Sequence, residues 1–187
     1  QASNALCALA LALASGDDAE AATAELEKLQ GVPGRVQLVG RHPAGAPVYV
    51  DYAHTPAALA CVLKALRPHA QGRLHLVFGC GGDRDSGKRL EMGAIAGKLA
   101  DVVIVTDDNP RTEDAADIRA QILAAVPAAA DIGDRAQAIA EAVNGLGPGD
   151  LLVVAGKGHE QGQIIGEETR PFDDAEAVGV ALKEIGQ

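Results

Sequence analysis

The stretch that decides the fold is Val102-Val103-Ile104-Val105, a short apolar run that leads into the polar loop Asp108-Asn109-Pro110-Arg111. Three other apolar runs are also followed by polar loops, which begin at Asp51, Gly79 and Gly156. Near-continuous apolar strands that alternate with helices predict a parallel sheet covered on both faces. Because loops at the carboxyl ends of parallel strands gather at one edge, we expect these loops to form a single ligand site.

The predicted fold class is therefore α/β, with a Rossmann-like, mostly parallel sheet and helices on both faces, preceded by two further helices. Strands are predicted over residues 35–41, 47–51, 74–78, 102–106 and 151–155, with an edge hairpin at 163–165 and 169–172. Helices are predicted over residues 55–67, 88–99, 114–125 and 135–144, and from Asp173 onwards.

The amino-terminal segment, residues 3–29, has the pattern of two helices. Ser3 is the expected cap of the first, Gly16 can end it, and Asp17-Asp18 favour the start of the second. Gly31-Val32-Pro33-Gly34 breaks the pattern and is the predicted boundary, which gives one unit over 1–31 and another over 32–187. Because the chain starts with Gln in helix-like sequence, we expect a fragment of a longer protein.

The composition excludes several classes of protein. There are 26 acidic residues against 16 Lys and Arg, a net charge of -10, whereas a nucleic-acid surface needs clustered Lys and Arg. No apolar run approaches the roughly 20 residues of a membrane span. Cys7, Cys61 and Cys80 are widely spaced, so they predict neither a disulfide framework nor a zinc site. We expect a cytoplasmic protein without a nucleic-acid or membrane partner.

The glycine-rich loop that begins at Gly79 has competing interpretations. Gly82-x-x-x-x-Gly87-Lys88 matches the spacing of a nucleotide P-loop, but Arg89 stands where Ser or Thr would hold magnesium. The third glycine of G-x-G-x-x-G is missing, so a nucleotide- or dinucleotide-binding oxidoreductase domain is a weak alternative. A plain tight turn explains the glycines but not the nearby cations Arg84, Lys88 and Arg89.

The charges in the loops favour an amino-acid ligand. Arg111 can bind a carboxylate with two parallel hydrogen bonds, and Arg84 can join it from the neighbouring loop. Glu160, on a further loop, needs a cation. An amino-acid head group carries both charges, so convergence of these residues would form an amino-acid pocket. The alternative is that Asp108-Asn109-Pro110-Arg111 is a turn whose acids cap the next helix.

Four further side chains have open roles. His54 and His159 lack any metal-binding spacing, so a structural role or a substrate contact fits them better than metal ligation or base catalysis. Cys80 has no sequence partner that would make it a nucleophile, and we expect a small buried residue. Lys157 lies between two glycines, where it could follow a phosphate or carboxylate or be solvated.

Four motifs, in order and spacing, resemble the carboxyl-terminal domain of the Mur ligases, in particular members that add meso-diaminopimelate. They are Asp51-Tyr52-Ala53-His54-Thr55-Pro56, Gly79-Cys80-Gly81-Gly82-Asp83-Arg84-Asp85, Asp107-Asp108-Asn109-Pro110-Arg111-Thr112-Glu113 and Gly156-Lys157-Gly158-His159-Glu160. Ser3-Asn4-Ala5-Leu6 resembles the end of the family's central ATPase domain. Residues 1–31 would then be a helical remnant of that domain, and residues 32–187 the carboxyl-terminal ligase domain.

The resemblance implies an ATP-dependent acid–amino-acid ligase of peptidoglycan synthesis, and hence of cell-wall formation, cell shape and division. Such an enzyme phosphorylates UDP-N-acetylmuramoyl-L-alanyl-D-glutamate with ATP, and meso-diaminopimelate attacks the acyl phosphate. The amino-terminal and central domains of the family lie outside this chain, and the central domain supplies the P-loop and the Mg²⁺ ligands. The chain would therefore carry no catalytic or metal-binding residue and would be inactive alone.

The resemblance also implies the binding residues. The diaminopimelate contacts would be Arg84, Asp108, Asn109, Pro110, Arg111, Gly156 and Glu160. The ATP contacts would be Asn4, Arg35, Asp51, Tyr52 and His54. Leu90-Glu91 and Gln161-Gly162 depart from the family's usual Pro-Leu and Asp-Tyr, which bears on loop conformation and affinity. A sister ligase that adds lysine is an alternative, for which a small residue would be expected at the position of Arg111.

Overall fold

The structure, a computed structural model, describes residues 2–29 and 31–186 and divides into two compact units, Gln1–Gly31 and Val32–Gln187. The first unit contains α1 (Ala2–Ala14), α2 (Ala19–Glu25) and a short 3-10 turn (Leu26–Lys28). α1 ends in a Schellman motif, in which Gly16 has a φ of 99° and the amides of Gly16 and Asp17 donate to carbonyls in the last turn. Asp18 caps α2.

The second unit is built on a six-stranded sheet with the order β1-β2-β6-β3-β4-β5. Its strands are β1 (Gln37–Arg41), β2 (Pro47–Asp51), β3 (Leu74–Phe78), β4 (Val102–Val105), β5 (Ala130–Asp131) and β6 (Leu151–Ala155). β1 pairs antiparallel with β2, and the other neighbouring strands pair in parallel. Because β6 returns to lie between β2 and β3, the loop that follows it is placed among the loops that follow β2, β3 and β4.

Helices cover both faces of this sheet, as predicted. They are α3 (Pro56–Leu66), α4 (Gly87–Leu99), α5 (Ala115–Leu123), α6 (Arg135–Asn144) and α7 (Asp174–Ile185). Alternate side chains of each strand point to opposite faces, so β6 sends Leu151 and Val153 to one core and Leu152 and Val154 to the other. α3, α4 and α5 complete the first core, and α6 and α7 complete the second.

The helix starts follow the capping chemistry of the sequence. Thr55, Asp114 and Asp173 accept hydrogen bonds from amides in the first turns of α3, α5 and α7, and Asp134 does the same for α6. The predicted α/β class, with a mostly parallel sheet, is therefore confirmed. No helix among the described residues has the length and apolar character needed to cross a membrane.

The local structure differs from the sequence predictions in three places. Ser3 lies inside α1 rather than capping it, because Ala2, a strong helix former, already belongs to the helix. β5 was not predicted, since two exposed residues carry no apolar alternation. The hairpin of β7 (Gly162–Ile165) and β8 (Glu168–Pro171) forms its own two-stranded sheet instead of extending the main sheet.

Candidate functional site

The loops that follow β3 and β4 pack directly against each other, and glycines make this possible. A Cβ on Gly79 would lie 2.2 Å from the carbonyl oxygen of Thr106, and one on Gly82 would lie 1.9 Å from that of Pro110. The Gly82 amide also donates to the Asn109 carbonyl at 2.9 Å. These glycines therefore serve the close approach of two loops.

A cavity of about 530 Å³ lies among the loops at the carboxyl ends of β2, β3, β4 and β6. Its wall contains Arg84, Asp108, Asn109, Arg111, Gly156 and Glu160 from the predicted amino-acid contacts, and Tyr52 and His54 from the predicted ATP contacts. Thr55, Gly81, Asp85 and Lys88 complete the lining. The sheet thus gathers six of the seven predicted amino-acid contacts and two of the five predicted ATP contacts around one space, with cations and carboxylates on the same wall.

Lys157 is fully buried beside this cavity, so the interpretation of a solvated lysine was wrong. Its Nζ donates to Asn109 Oδ1 at 2.7 Å and to the Gly162 carbonyl at 2.8 Å. It also lies 3.5 Å from Asp108 Oδ1 and 3.9 Å from Glu160 Oε2. Burial lowers the pKa of Lys157, and the carboxylates of Asp108 and Glu160 oppose that shift. The lysine joins the β4 and β6 loops to the hairpin.

Asn109 is fixed by three partners. Its Oδ1 accepts from Lys157 and from the Ile164 amide at 3.0 Å, and its Nδ2 donates to Glu160 Oε2 at 3.0 Å. These partners define which way the amide group points, since donor and acceptor ends each face a complementary group. Asn109 therefore holds Glu160 in the cavity wall.

Arg111 is held by both its backbone and its side chain. It has a φ of 54°, which is uncommon for a residue with a Cβ, and a parallel bridge to Ile165 accompanies this conformation. The Arg111 amide donates to the Ile164 carbonyl at 3.0 Å, and the Gly166 amide donates to the Arg111 carbonyl at 2.7 Å. Arg111 Nη1 donates to the Gly82 carbonyl at 2.8 Å. The hairpin that contains Ile164 and Gly166 thus holds the backbone of Arg111, and the loop that follows β3 orients its guanidinium.

The start of α4 does not fit a P-loop. A P-loop presents free backbone amides to phosphate, but here the Gly87 amide donates to Asp85 Oδ1 at 2.9 Å. A carboxylate thus already lies at this helix end. Lys88 Nζ reaches the His54 carbonyl at 2.9 Å, and Arg84 is exposed on the cavity wall. Some cations of this loop therefore face the cavity, while others bind groups of the protein.

Arg89 has a structural role, because its partners are groups of the protein. Its buried guanidinium makes two hydrogen bonds of 2.9 Å to the Glu113 carboxylate and one of 3.3 Å to the Gly81 carbonyl. Glu113 also accepts from the Asp83 amide at 2.6 Å. This network joins the loop after β3 to the loop after β4, which explains an arginine that a tight turn does not need.

A buried ion pair that we did not predict joins the strand ends behind the cavity. Arg135 and Asp174 are both fully buried and form hydrogen bonds of 2.7 and 2.8 Å. Arg135 also donates to the Ala155 carbonyl at 3.1 Å and the Asp107 carbonyl at 3.3 Å. Burial opposes the charged form, but Asp174 outweighs it and raises the pKa of Arg135. The sequence signal was an arginine at a helix start, where the dipole disfavours a cation.

Gly156 and Pro110 differ in their relation to the cavity. Gly156 has a φ of 120°, and a Cβ there would lie 2.7 Å from Asp108 Oδ2, so its lack of a side chain leaves room for the carboxylate. Pro110 was expected among the amino-acid contacts. It lies outside the cavity wall, in the packing around Cys80 and beneath Gly82, because its carbonyl faces the glycine loop.

An aromatic cluster with a cation forms one rim of the cavity. The Arg35 guanidinium carbon lies 4.6 Å from the centre of the Tyr52 ring. His54 and His159 lie 4.5 and 5.3 Å from the same ring, centre to centre. Gly158 makes this packing possible, since a Cβ there would lie 2.7 Å from Tyr52 Cβ. His159, whose role was open, is part of this cluster.

The other two predicted ATP contacts have different surroundings. Asp51 is buried, and its carboxylate accepts from the amides of Val36 and Ala53, both at 2.8 Å. Its first role is therefore to shape the turn after β2. Asn4 is exposed on α1, in the first unit of the chain.

Two further kinds of reactive site are a cysteine nucleophile and a metal-binding cluster. Cys80 is buried, as expected, and burial raises the pKa of its thiol to about 12. Residues 2–29 and 31–186 contain no group of three or more His, Cys, Asp or Glu side chains arranged to hold a metal ion.

The fold and the cavity together define an α/β binding domain whose charged site lies at the carboxyl ends of parallel strands. The family profile described as Mur ligase, glutamate ligase domain, matches residues 34–158, which is more than half of the chain. The chain belongs to this family.

Relatives are consistent with that assignment. A protein of Mesorhizobium japonicum named UDP-N-acetylmuramoyl-L-alanyl-D-glutamate--2,6-diaminopimelate ligase is 61% identical over 98% of this chain, which covers 38% of the relative. A solved structure with the same enzyme name is 41% identical over 97% of this chain and 38% of its own, with a TM-score of 0.78. The chain thus spans less than two fifths of these relatives.

A more distant structure, the UDP-N-acetylmuramate-alanine ligase MurC of Thermotoga maritima, shares the fold. It is 18% identical over 98% of this chain and 37% of its own, with a TM-score of 0.70. The oxidoreductase alternative is not supported, because the family is one of ligases and the glycine loop packs against its neighbour.

Proposed function

We propose that this chain is the carboxyl-terminal domain of an ATP-dependent amide ligase that adds meso-diaminopimelate to UDP-N-acetylmuramoyl-L-alanyl-D-glutamate in peptidoglycan synthesis. One observation carries the proposal: Arg84, Arg111 and Glu160 line the same cavity. Two guanidinium groups and a carboxylate around one space are complementary to the carboxylate and ammonium of an amino-acid end. The names of the relatives favour diaminopimelate among amino acids.

The cavity binds the end of diaminopimelate that does not react. Arg111 and Arg84 bind the distal carboxylate, with Arg111 oriented by the Gly82 carbonyl before the ligand arrives. Glu160 and Asp108 accept hydrogen bonds from the distal ammonium, and Asn109 holds Glu160 in place. Gly156 leaves room beside Asp108. The site therefore reads both charges of the distal end at once.

This arrangement discriminates against lysine. Lysine has the distal ammonium but no second carboxylate, so Arg111 would remain without its anionic partner. A desolvated charge left without its partner costs about 2–3 kcal/mol, which corresponds to a factor of roughly 30 to 150 in affinity. A ligase that adds lysine would have no use for this guanidinium.

ATP is proposed to bind next to the amino acid, at the rim formed by Tyr52. Tyr52 and His54 offer flat surfaces to the base, while Arg35 supplies a positive charge to the phosphates. Asp51 retains acceptor capacity for ribose hydroxyls beyond the two amides that it binds. Residues 1–31, with Asn4, are proposed to be a remnant of the central domain, and residues 32–187 the ligase domain.

The reaction joins the two sites. The γ-phosphoryl group of ATP passes to the substrate carboxylate, which gives an acyl phosphate and ADP; the deprotonated amine then attacks the acyl carbon, and inorganic phosphate leaves. Phosphoryl transfer depends mainly on alignment and charge neutralisation. The contribution of this chain is to position the amine, whereas Mg²⁺ and the P-loop are assigned to other domains of the longer protein. We place the enzyme in the cytoplasm, with roles in cell shape and division.

The test is ATP-dependent formation of the amide by the full-length protein, followed by phosphate release and mass spectrometry. We expect product with meso-diaminopimelate, little product with L-lysine, and none with the 187-residue chain alone. Equal use of lysine would overturn the choice of amino acid. Turnover by the 187-residue chain would overturn the assignment of the phosphoryl-transfer groups to other domains.

A further inference from the structure

We infer that Lys157 is a positioning residue for amino-acid recognition, which holds Asn109 and Glu160 in register and balances the acidic side of the cavity. This inference rests on the proposed function and deepens it. Lys157 lies outside the cavity wall, so it acts through the residues that do line the wall.

The first support is the way in which Lys157 connects separate parts of the chain. Its Nζ binds Asn109 of the β4 loop at 2.7 Å and the Gly162 carbonyl of β7 at 2.8 Å. The next residues of that hairpin hold Arg111, through the Ile164 carbonyl at 3.0 Å. The buried ammonium of Lys157 therefore supports Glu160, through Asn109, and also the hairpin that holds Arg111.

The second support is charge. Asp108 and Glu160 approach the same ammonium, at 3.5 and 3.9 Å. Two carboxylates and one lysine leave this side of the cavity with one excess negative charge, which matches a ligand with one distal ammonium. Without the lysine, the two carboxylates would repel each other, and one of them would take up a proton or turn towards solvent.

The third support is the complete burial of the charged group. The side chain of Lys157 is 0% exposed, so the cost of burying its charge is met by partners in the protein. Those partners are functional residues of the cavity rather than an isolated structural acid. Removal of the Lys157 charge should therefore affect amino-acid binding more than it affects the rest of the fold.

The experiment uses the full-length protein with the variant Lys157→Met, which is similar in length to the aliphatic part of lysine and removes the ammonium group and its charge. We expect the KM for meso-diaminopimelate to rise about 100-fold, with kcat and the KM for ATP each changed by less than about 3-fold. Lys183→Met, on the exposed surface of α7, is the matched control and should leave every constant unchanged.

A double-mutant cycle separates positioning from general damage. If Lys157 acts through Glu160, the combined variant Lys157→Met/Glu160→Gln should lose at least about 10-fold less affinity than the product of the two single losses. If the losses multiply, or if both KM values rise together, the inference is wrong. Should Lys157→Met fail to fold, Lys157→Gln keeps a hydrogen-bond donor without the charge and should show the same selective rise.

The outcomes also distinguish the two proposals. A wild-type protein that does not use meso-diaminopimelate would overturn the proposed function. A wild-type protein that uses it, together with a Lys157→Met variant of unchanged KM, would overturn only the role of Lys157.

Discussion

Charged side chains are buried at both ends of the sheet, but the two ends differ in how many protein partners those side chains have. At the amino end, Asp150 accepts from the amides of Arg73 and Gly147, at 2.7 and 3.0 Å, and from His75 Nε2 at 3.1 Å. At the carboxyl end, Asp108 lies 3.5 Å from Lys157 and faces a cavity. The Asp150 carboxylate is surrounded by hydrogen-bond donors of the protein, whereas the Asp108 carboxylate has room for a donor from a ligand.

The difference indicates how to separate structural from functional charges. Asp150 satisfies its acceptors within the fold, so its effect should be on stability. Asp108, Glu160 and Arg111 are held in place yet still face open space, so their effect should be on binding. The groove of about 480 Å³ at the amino end, between α4 and the segment that precedes β5, is lined mainly by small apolar residues and has no comparable set of charges.

The largest effect is expected at Arg111. In the full-length protein, Arg111→Ala should lower kcat/KM for meso-diaminopimelate by about 1000-fold, or about 4 kcal/mol, because an oriented charge partner is lost. Arg84→Ala should cost less, about 5-fold, since Arg84 is exposed and its side chain is screened by water. Steady-state kinetics would measure both variants, with Arg170→Ala on exposed β8 as the control. Equal losses for Arg84 and Arg111 would contradict the importance of preorganisation.

The second effect is at the amino end. Asp150→Ala should lower the free energy of unfolding of the 187-residue chain by about 3 kcal/mol, since it leaves buried donors unpaired. Urea denaturation followed by circular dichroism would measure it, with the exposed Glu141→Ala as the control. In the full-length protein the KM for meso-diaminopimelate should remain unchanged. A raised KM would show that the two ends are coupled and would break the contrast.

The third effect compares two glycines with positive φ. Gly156→Ala should lower the free energy of unfolding by about 2 kcal/mol, because the new Cβ adds a clash to the backbone strain. That Cβ would lie 2.7 Å from Asp108 Oδ2. Gly45 has a φ of 89° but nothing within 4 Å, so Gly45→Ala should cost only about 1 kcal/mol. The same denaturation assay would measure both, and equal costs would mean that Asp108 moves aside freely.

The fourth effect is a pH dependence at the carboxyl group of Asp150. Burial would raise the pKa of Asp150, but hydrogen bonds from Gly147, Arg73 and His75 outweigh it and lower the pKa to about 2. Since an unfolded aspartate has a pKa of about 3.9, this stabilisation is present above about pH 4 and is lost as the pH falls towards 2. The difference in unfolding free energy between wild type and Asp150→Asn should therefore shrink over that range. A difference that stays constant would contradict the lowered pKa.

Much of this architecture could be predicted from sequence, because local signals and global fold agree. The apolar runs of β3 and β6 and the capping residues Thr55 and Asp114 each specify one element without reference to the rest. The gathering of four loops then follows from the topology of parallel sheets. The cavity that contains Arg84, Arg111 and Glu160 was predictable for the same reason.

The remainder depends on contacts between residues that are distant in sequence. Arg135 and Asp174 belong to different helices, and nothing local indicates that they pair. Lys157 between two glycines could equally have been solvated, and only its contacts to Asn109 and Gly162 determine its burial. The two residues of β5 carry no strand signal in the sequence. They form a strand because they pair with β4.

The most direct test of the central claim is calorimetric titration of the full-length protein with meso-diaminopimelate and with L-lysine, for wild type and Arg111→Ala. We expect wild type to bind meso-diaminopimelate at least about 30-fold more tightly than lysine, and Arg111→Ala to remove most of this difference. Equal binding of the two amino acids by wild type, or a preference that survives in Arg111→Ala, would contradict this claim.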